Sequence, residues 1–222
     1  MDKATFKKNR TKIMICMVCF FLADGIELFS FNLIIQPFGK YFEFEESSAE
    51  IQIAASSIFL GIIIGSIIAS LLTKKIGRIR TLNYSNLLFF ISFLVKGIWL
   101  YFPLFIICKI FTGLALGIIV PIFMNVYGEY LPTQYRGLLL MVTWSVFGFG
   151  EMVTSLIGLV VMPELQPEKL QTFLLVLSVF PFFSFISCIF LLNDSPRGLL
   201  LSKRMEESSL KKALDEINEE NI

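Results

Sequence analysis

The sequence predicts an all-α membrane protein with six transmembrane helices. Hydrophobic residues make up 55% of the 222 residues, and charged residues only 17%. The apolar residues are gathered in runs of about 20 or more, which is the length that a helix needs to cross a bilayer. Lysine and arginine are concentrated in alternate connections between these runs, as in the cytoplasmic loops of membrane proteins. We therefore expect a multi-pass protein whose main partner is the lipid bilayer.

The six predicted spans follow one another with short connections. They are assigned to residues 13–36, 51–73, 81–101, 104–127, 137–161 and 172–192. Proline and glycine mark several of the ends, because both residues interrupt helices. Pro37 and Gly39 are expected to end the first span, and Pro103 marks a short outer turn after the third. Pro163 and Pro167 lie in the predicted outer loop after the fifth span.

The distribution of cations predicts that both termini are cytoplasmic. Residues 1–12 are a basic flank, residues 13–192 the bundle, and residues 193–222 a tail that should include a short amphipathic helix. Only Lys40 and Lys169 fall in outer loops, while Lys96 and Lys109 fall within spans. The other fifteen cations lie on the inner side: Lys3, Lys7, Lys8, Arg10, Lys12, Lys74, Lys75, Arg78, Arg80, Arg136, Arg197, Lys203, Arg204, Lys211 and Lys212. This asymmetry follows the positive-inside rule.

Small residues in three spans predict close helix packing. In the second span they recur at every fourth position, which places them on one helical face that a neighbouring backbone can approach. These residues are Ser57, Gly61, Gly65 and Ala69. Other small or helix-bending residues are interpreted in the same structural way. They are Gly113, Gly117 and Pro121 in the fourth span and Gly148 and Gly150 in the fifth.

Several classes of function are disfavoured by the composition. The chain has no histidine and only four cysteines, all in apolar runs, so the cysteines are interpreted as small buried hydrophobic residues. No metal site, no cofactor and no arrangement of nucleophile and base is expected, so an enzyme is the weakest hypothesis. A net charge of +1 gives no reason to expect a nucleic acid partner.

Ionisable side chains within the spans are the strongest candidates for a functional site. Such a group costs at least about 2.5–3.5 kcal/mol in a bilayer on insertion scales, so it normally faces a cavity or a partner. Asp24 and Glu27 lie three residues apart on one face of the first span, and Asn32 adds polarity to the same helix. Lys109 lies in the fourth span and Glu151 in the fifth. We expect these five residues to mark a path for substrate or ions.

Two interpretations stay open for Asp24, Glu27 and Lys109. One is a polar path for a substrate, an ion or a proton. The other is an ion pair of Lys109 with Asp24 or Glu27 that only holds helices together. Glu151 favours a functional interpretation, because no cation lies near it in sequence, and it is our candidate proton carrier. Lys96 lies near the outer end of the third span and is expected to extend to the membrane interface.

A second polar group is predicted at the cytoplasmic ends of the spans. It would form an interfacial charge network, or else a solvated basic surface in which each ion pair contributes little. Its members are Gly77, Arg78, Arg80, Glu129, Arg136, Asp194 and Arg197.

With these residues assembled, the chain resembles the N-terminal half of a major facilitator superfamily transporter of the sugar and organic-ion porter branch. The loop KIGRIR at 75–80 resembles the superfamily's loop after the second span. The stretch EYLPTQYRG at 129–137 resembles its acid-to-arginine motif, and DSPR at 194–197 its signature after the sixth span. The segment ADGIE at 23–27 resembles the synaptic-vesicle-glycoprotein-like group. In that fold the first and fourth spans line a central cavity and the fifth borders it.

The chain departs from the family pattern at three positions. Lys74 stands where the family has an aspartate that helps to latch the two halves, and Ser70 stands at its leading glycine. Lys109 replaces the arginine usual in the fourth span.

The resemblance also implies a second six-helix half, because alternating access needs two bundles around a midplane site. We expect that half to come from a second copy of the chain or from further C-terminal sequence.

Two functions follow from the resemblance. The first is a transporter, or half-transporter, for a small organic solute, with protons as a potential coupling ion and alternating access against a second half. The alternative is a non-transporting membrane protein for binding or trafficking that keeps the transporter fold. The cation at position 74 favours this alternative slightly, because it reverses the charge of the latch.

Overall fold

The computed structural model describes residues 3–44, 48–130 and 136–192. They form seven α-helices and one 3-10 turn, Pro167–Lys169. The helices are α1 Lys3–Phe42, α2 Ala49–Ile76, α3 Arg78–Ile98, α4 Phe102–Tyr130, α5 Arg136–Val161, α6 Leu170–Leu177 and α7 Val179–Leu191. Helices α6 and α7 follow each other with a break at Ser178 and together make one span. The described residues thus contain six helical segments that are long and apolar enough to cross a membrane, which confirms the predicted fold class.

The predicted end of the first span is wrong. Helix α1 does not stop at Pro37 and Gly39 but continues through both to Phe42. The reason lies in the packing of Phe38, which is fully buried. Its ring lies 4.8 Å from the ring of Phe105 on α4 and 6.0 Å from that of Phe31 on α1 itself. Pro37 removes one backbone hydrogen bond of the helix. The aromatic contacts of Phe38 offset this loss, so the helix continues.

The basic turn between the second and third spans is tighter than predicted. Helix α2 continues to Ile76 and α3 starts at Arg78, so that Gly77 alone separates them. Gly77 has φ = 88°, a left-handed conformation in which a side chain would be strained. The cations of the predicted loop therefore lie on the last turn of α2 and the first turn of α3.

The small residues of α2 pack closely against a neighbouring helix, as their four-residue spacing predicts. Gly61 and Gly65 are buried against α4, and Ser57 and Ala69 on the same face of α2 are buried as well. A Cβ atom added to Gly61 would lie 2.7 Å from the backbone nitrogen of Leu114. We call this contact the α2–α4 seam. A similar approach joins α1 to α5, where a Cβ on Gly150 would lie 3.1 Å from the backbone nitrogen of Ile26.

A buried polar contact joins α3 to α7. The Asn86 amide donates a hydrogen bond to the sulfur of Cys188 at 3.3 Å and accepts one from the Ser184 hydroxyl at 2.9 Å. On α1, the Cys16 thiol donates to the carbonyl of Ser187 at 3.2 Å. Cys16 and Cys188 are fully buried and unbridged, in agreement with their interpretation as small core residues.

The orientation in the membrane stays a prediction, and site-directed labelling tests it. On a background without the native cysteines, a single cysteine at Glu43 or Glu164 should react with an impermeant maleimide from outside the cell. Both positions are exposed at connections between helices. A cysteine at Lys75, which is also exposed, should react only after permeabilisation. Labelling of position 75 in intact cells would contradict the predicted orientation.

Candidate functional site

Three charged side chains from three helices meet in the interior of the bundle. Glu27 of α1 accepts a hydrogen bond from the ammonium group of Lys96 on α3 through Oε2. The Nζ atom of Lys109 on α4 lies 3.6 Å from the other oxygen, Oε1. Glu27, Lys96 and Lys109 are exposed by 0%, 1% and 2%. We call these three residues the charge cluster.

Aromatic rings complete the surroundings of both ammonium groups. Lys96 Nζ lies 3.9 Å from the centroid of the Phe93 ring, and Lys109 Nζ lies 4.5 Å from that of Phe31. Each cation therefore has an anion on one side and the negative face of a π system on another. These contacts partly replace the water that the ammonium groups lose on burial.

The two lysines are held differently. Lys96 makes a direct hydrogen bond to Glu27, whereas Lys109 makes only the longer ionic contact, and Glu27 Oε1 accepts no hydrogen bond among the described residues. Thr112, one turn further along α4 than Lys109, is fully buried, and its Oγ1 also lacks a described hydrogen-bond partner. The Lys109 side of the cluster is thus the side with unused hydrogen-bonding capacity.

The prediction for Lys96 is wrong. Instead of extending to the interface, its side chain is buried and paired with Glu27. The reason is its register on α3, where a buried face continues through Leu82, Asn86, Phe89, Phe93 and Lys96 at spacings of three and four. That spacing is the sequence signal that could have identified Lys96, because it places the lysine on the same face as the apolar residues.

The other predicted path residues, Asp24, Glu151 and Asn32, differ in how far they are buried. Asp24 is 5% exposed and lies on α1 one turn before Glu27, but the structure gives it no ion pair among the described residues. Glu151 on α5 is partly exposed and follows Gly150, which packs against α1 near Ile26. Asn32 is exposed on α1. The structure therefore brings together Glu27 and Lys109, and it leaves Asp24, Glu151 and Asn32 outside the ion pairs.

The predicted cytoplasmic network is described only in part. Gly77, Arg78 and Arg80 lie at the turn between α2 and α3, and all three are exposed. Glu129 lies on the last turn of α4 and Arg136 begins α5, although their side chains are not among those described. The remaining two predicted members, Asp194 and Arg197, and the predicted tail helix lie outside the described residues. The network itself stays a prediction.

The sequence matches a known protein family and is similar to individual proteins of known name. Residues 26–221 match the family described as Sugar (and other) transporter. The Solute carrier family 2, facilitated glucose transporter member 2 of Bos taurus is 30% identical over 165 residues, which cover 73% of this chain and 32% of that protein. The Synaptic vesicle glycoprotein 2A of Rattus norvegicus is 23% identical over 120 residues, which cover 52% of this chain and 15% of that protein.

A solved structure matches the arrangement of the helices. The major facilitator superfamily proton:xylose symporter XylE, bound to 6-bromo-6-deoxy-D-glucose, superposes with a TM-score of 0.77 at 17% sequence identity. The match covers 87% of this chain and 47% of that one. The chain therefore spans about half of the symporter's length and about a third of the bovine relative's.

Proposed function

Because the chain belongs to the Sugar (and other) transporter family, we propose that it forms one half of a membrane transporter for a small organic solute. The observation that carries this proposal is the charge cluster. A carboxylate and two ammonium groups within spans are expensive in lipid, and intramembrane ionisable groups mark substrate or ion paths by default. This role is transport rather than catalysis.

The unused hydrogen-bonding capacity near Lys109 supports a polar, uncharged solute. Glu27 Oε1 can accept a hydrogen bond, and the Thr112 hydroxyl can donate or accept one. A sugar hydroxyl group both donates and accepts hydrogen bonds, so it is chemically suited to the Glu27 carboxylate oxygen and to the Thr112 hydroxyl. The names of the relatives point in the same direction, since one is a glucose transporter and the superposed structure is a xylose symporter.

A second six-helix bundle is part of the proposal. Glu151 lies within a span but is only partly covered by the bundle, in a helix whose surface is mostly exposed. A carboxylate at that depth is unfavourable against lipid, so its exposed side should face a water-filled cavity or another protein surface. A second bundle facing α5 would supply both, as alternating access requires.

Solute binding and uptake test the proposal. We expect the chain reconstituted in liposomes to take up labelled glucose or xylose above protein-free liposomes, and Lys109→Met to lose both binding and uptake. Binding should be measured in parallel in detergent. Binding without uptake would favour the alternative, a membrane binding or trafficking protein that keeps the fold. Neither binding nor uptake of any sugar or organic ion would contradict the proposed function.

Glu151 is the proposed proton carrier. Replacing it with glutamine should therefore make the rate of uptake nearly independent of pH. We expect Glu151→Gln to keep uptake but to lose most of the pH dependence of the wild-type rate, because the amide cannot carry a proton. Glu50→Gln, at an exposed acid in the first turn of α2, is the matched control. The measurement is the initial uptake rate at several pH values, normalised to incorporated protein. An unchanged pH profile in Glu151→Gln would remove Glu151 from the mechanism.

A further inference from the structure

A polar pocket lies between α2 and α4, away from the charge cluster. Its volume is about 280 Å³, and it is open on one side. It lies at the end of α2 that leads into the Gly77 turn. Its polar lining consists of Ser66, Ser70, Thr73, Lys74, Arg78 and Asn125, and the remaining lining residues are apolar.

The lining of the pocket is suited to an anion. Lys74 and Arg78 supply positive charge, and no carboxylate is among the described lining residues. The amide of Asn125 can donate hydrogen bonds from the α4 side. The hydroxyl groups of Ser70 and Thr73 donate to carbonyls of their own helix, to Ile67 at 3.2 Å and to Ala69 at 2.8 Å. The donors that the proposed site offers to a ligand are therefore mainly the nitrogen atoms of Lys74 and Asn125.

The surroundings of the pocket favour a lipid as the source of that anion. Ile63, Ile67 and Leu71 are exposed by 63%, 64% and 57% and form a stripe along α2 beside the polar residues. A phospholipid could place its headgroup among the cations and its acyl chains along this stripe. A cation at the end of a membrane helix also lies at the depth of lipid headgroups.

We propose that this pocket binds a phosphate group, carried by the headgroup of an anionic phospholipid. Lys74 provides the main ionic contact and Asn125 a hydrogen bond from the opposite wall. The proposal does not rest on the proposed transport function, since its two contacts, Lys74 and Asn125, are not members of the charge cluster.

Lipid binding to the purified chain tests the proposal. Native mass spectrometry in detergent should show tighter binding of phosphatidic acid than of phosphatidylcholine. We expect Lys74→Gln to weaken phosphatidic acid binding about fivefold, the effect of one lysine near a lipid surface. Lys75→Gln should change it less than about twofold, because this neighbouring lysine carries the same charge but does not line the pocket. Asn125→Ala, on the other helix, should also weaken binding.

A second arm separates the sources of the phosphate group. Inorganic phosphate is titrated against the same variants, with binding followed by calorimetry. Saturation by inorganic phosphate at lower concentration than by lipid, with the same dependence on Lys74, would support the phosphate site and overturn its assignment to lipid.

Equal losses of binding in Lys74→Gln and Lys75→Gln would overturn the assignment of the site to this pocket, because they indicate only general surface charge. Circular dichroism of each variant checks that the helices are retained, and absence of binding in both arms with wild-type chain would overturn the proposal altogether.

Discussion

Replacing Glu27 with glutamine should lower the melting temperature of the protein by on the order of 10 °C. The substitution leaves the ammonium groups of Lys96 and Lys109 buried without their shared anion. Removing one partner of a buried ion pair costs roughly 3–5 kcal/mol, since the remaining charge has lost both water and its counter-charge. A loss of this size corresponds to several degrees per kcal/mol in a chain of about this length.

The two lysines should differ in a defined order. Lys96→Met should destabilise the protein more than Lys109→Met, because Lys96 makes the direct hydrogen bond and Lys109 only the 3.6 Å contact. Both should lower the stability less than Glu27→Gln does, because each leaves Glu27 with one cation.

Glu151→Gln is the control for loss of an intramembrane acid and should shift the melting temperature by no more than about 2 °C. Thermal unfolding in detergent, followed by intrinsic fluorescence, measures all four, and a Glu27→Gln variant that melts with the wild type would contradict the structural role of the cluster.

Most of the fold could be predicted because bilayer physics leaves few options. Apolar runs of sufficient length must become helices that satisfy their own backbone hydrogen bonds. The four-residue period of small residues in α2 likewise predicted the close approach that Gly61 and Gly65 make to α4. The resemblance to a transporter half is confirmed by the family match over residues 26–221 and by the superposed symporter.

The errors arose where tertiary packing overrides a local rule. Pro37 usually ends a helix, but the aromatic contacts of the following residue hold α1 together to Phe42. The position of Lys96 near the end of its span predicts a side chain at the interface, whereas its orientation is decided by the buried face of α3. Its partner Glu27 is 69 residues away, and no local pattern shows such a pairing. The available clue was the spacing of Lys96 with the apolar residues of α3, which places it on the buried face but does not identify its partner.

The α2–α4 seam should not tolerate even one added methyl group. Gly113→Ala would place a Cβ onto the carbonyl group of Ile58, 2.9 Å from its carbon atom, with backbone rather than a flexible side chain as the obstacle. We expect this variant to lose about 3 kcal/mol or more, at the upper end of the cost of overpacking, because two long helices must move apart to accept it. The double variant Gly61→Ala/Gly113→Ala should fail to give folded protein.

Gly148→Ala is the matched control, because it makes the same change in another membrane helix with nothing within 4 Å of the added carbon. It should unfold like the wild type or at slightly higher temperature, since alanine favours the helix by about 1 kcal/mol over glycine. Size-exclusion profiles and melting temperatures in detergent measure both variants. If Gly113→Ala and Gly148→Ala behaved alike, the approach of α2 to α4 would be looser than the structure describes. A selective loss in Gly113→Ala would show that backbone contact, and not apolar side-chain burial alone, holds these two helices together in a solvent that is itself apolar.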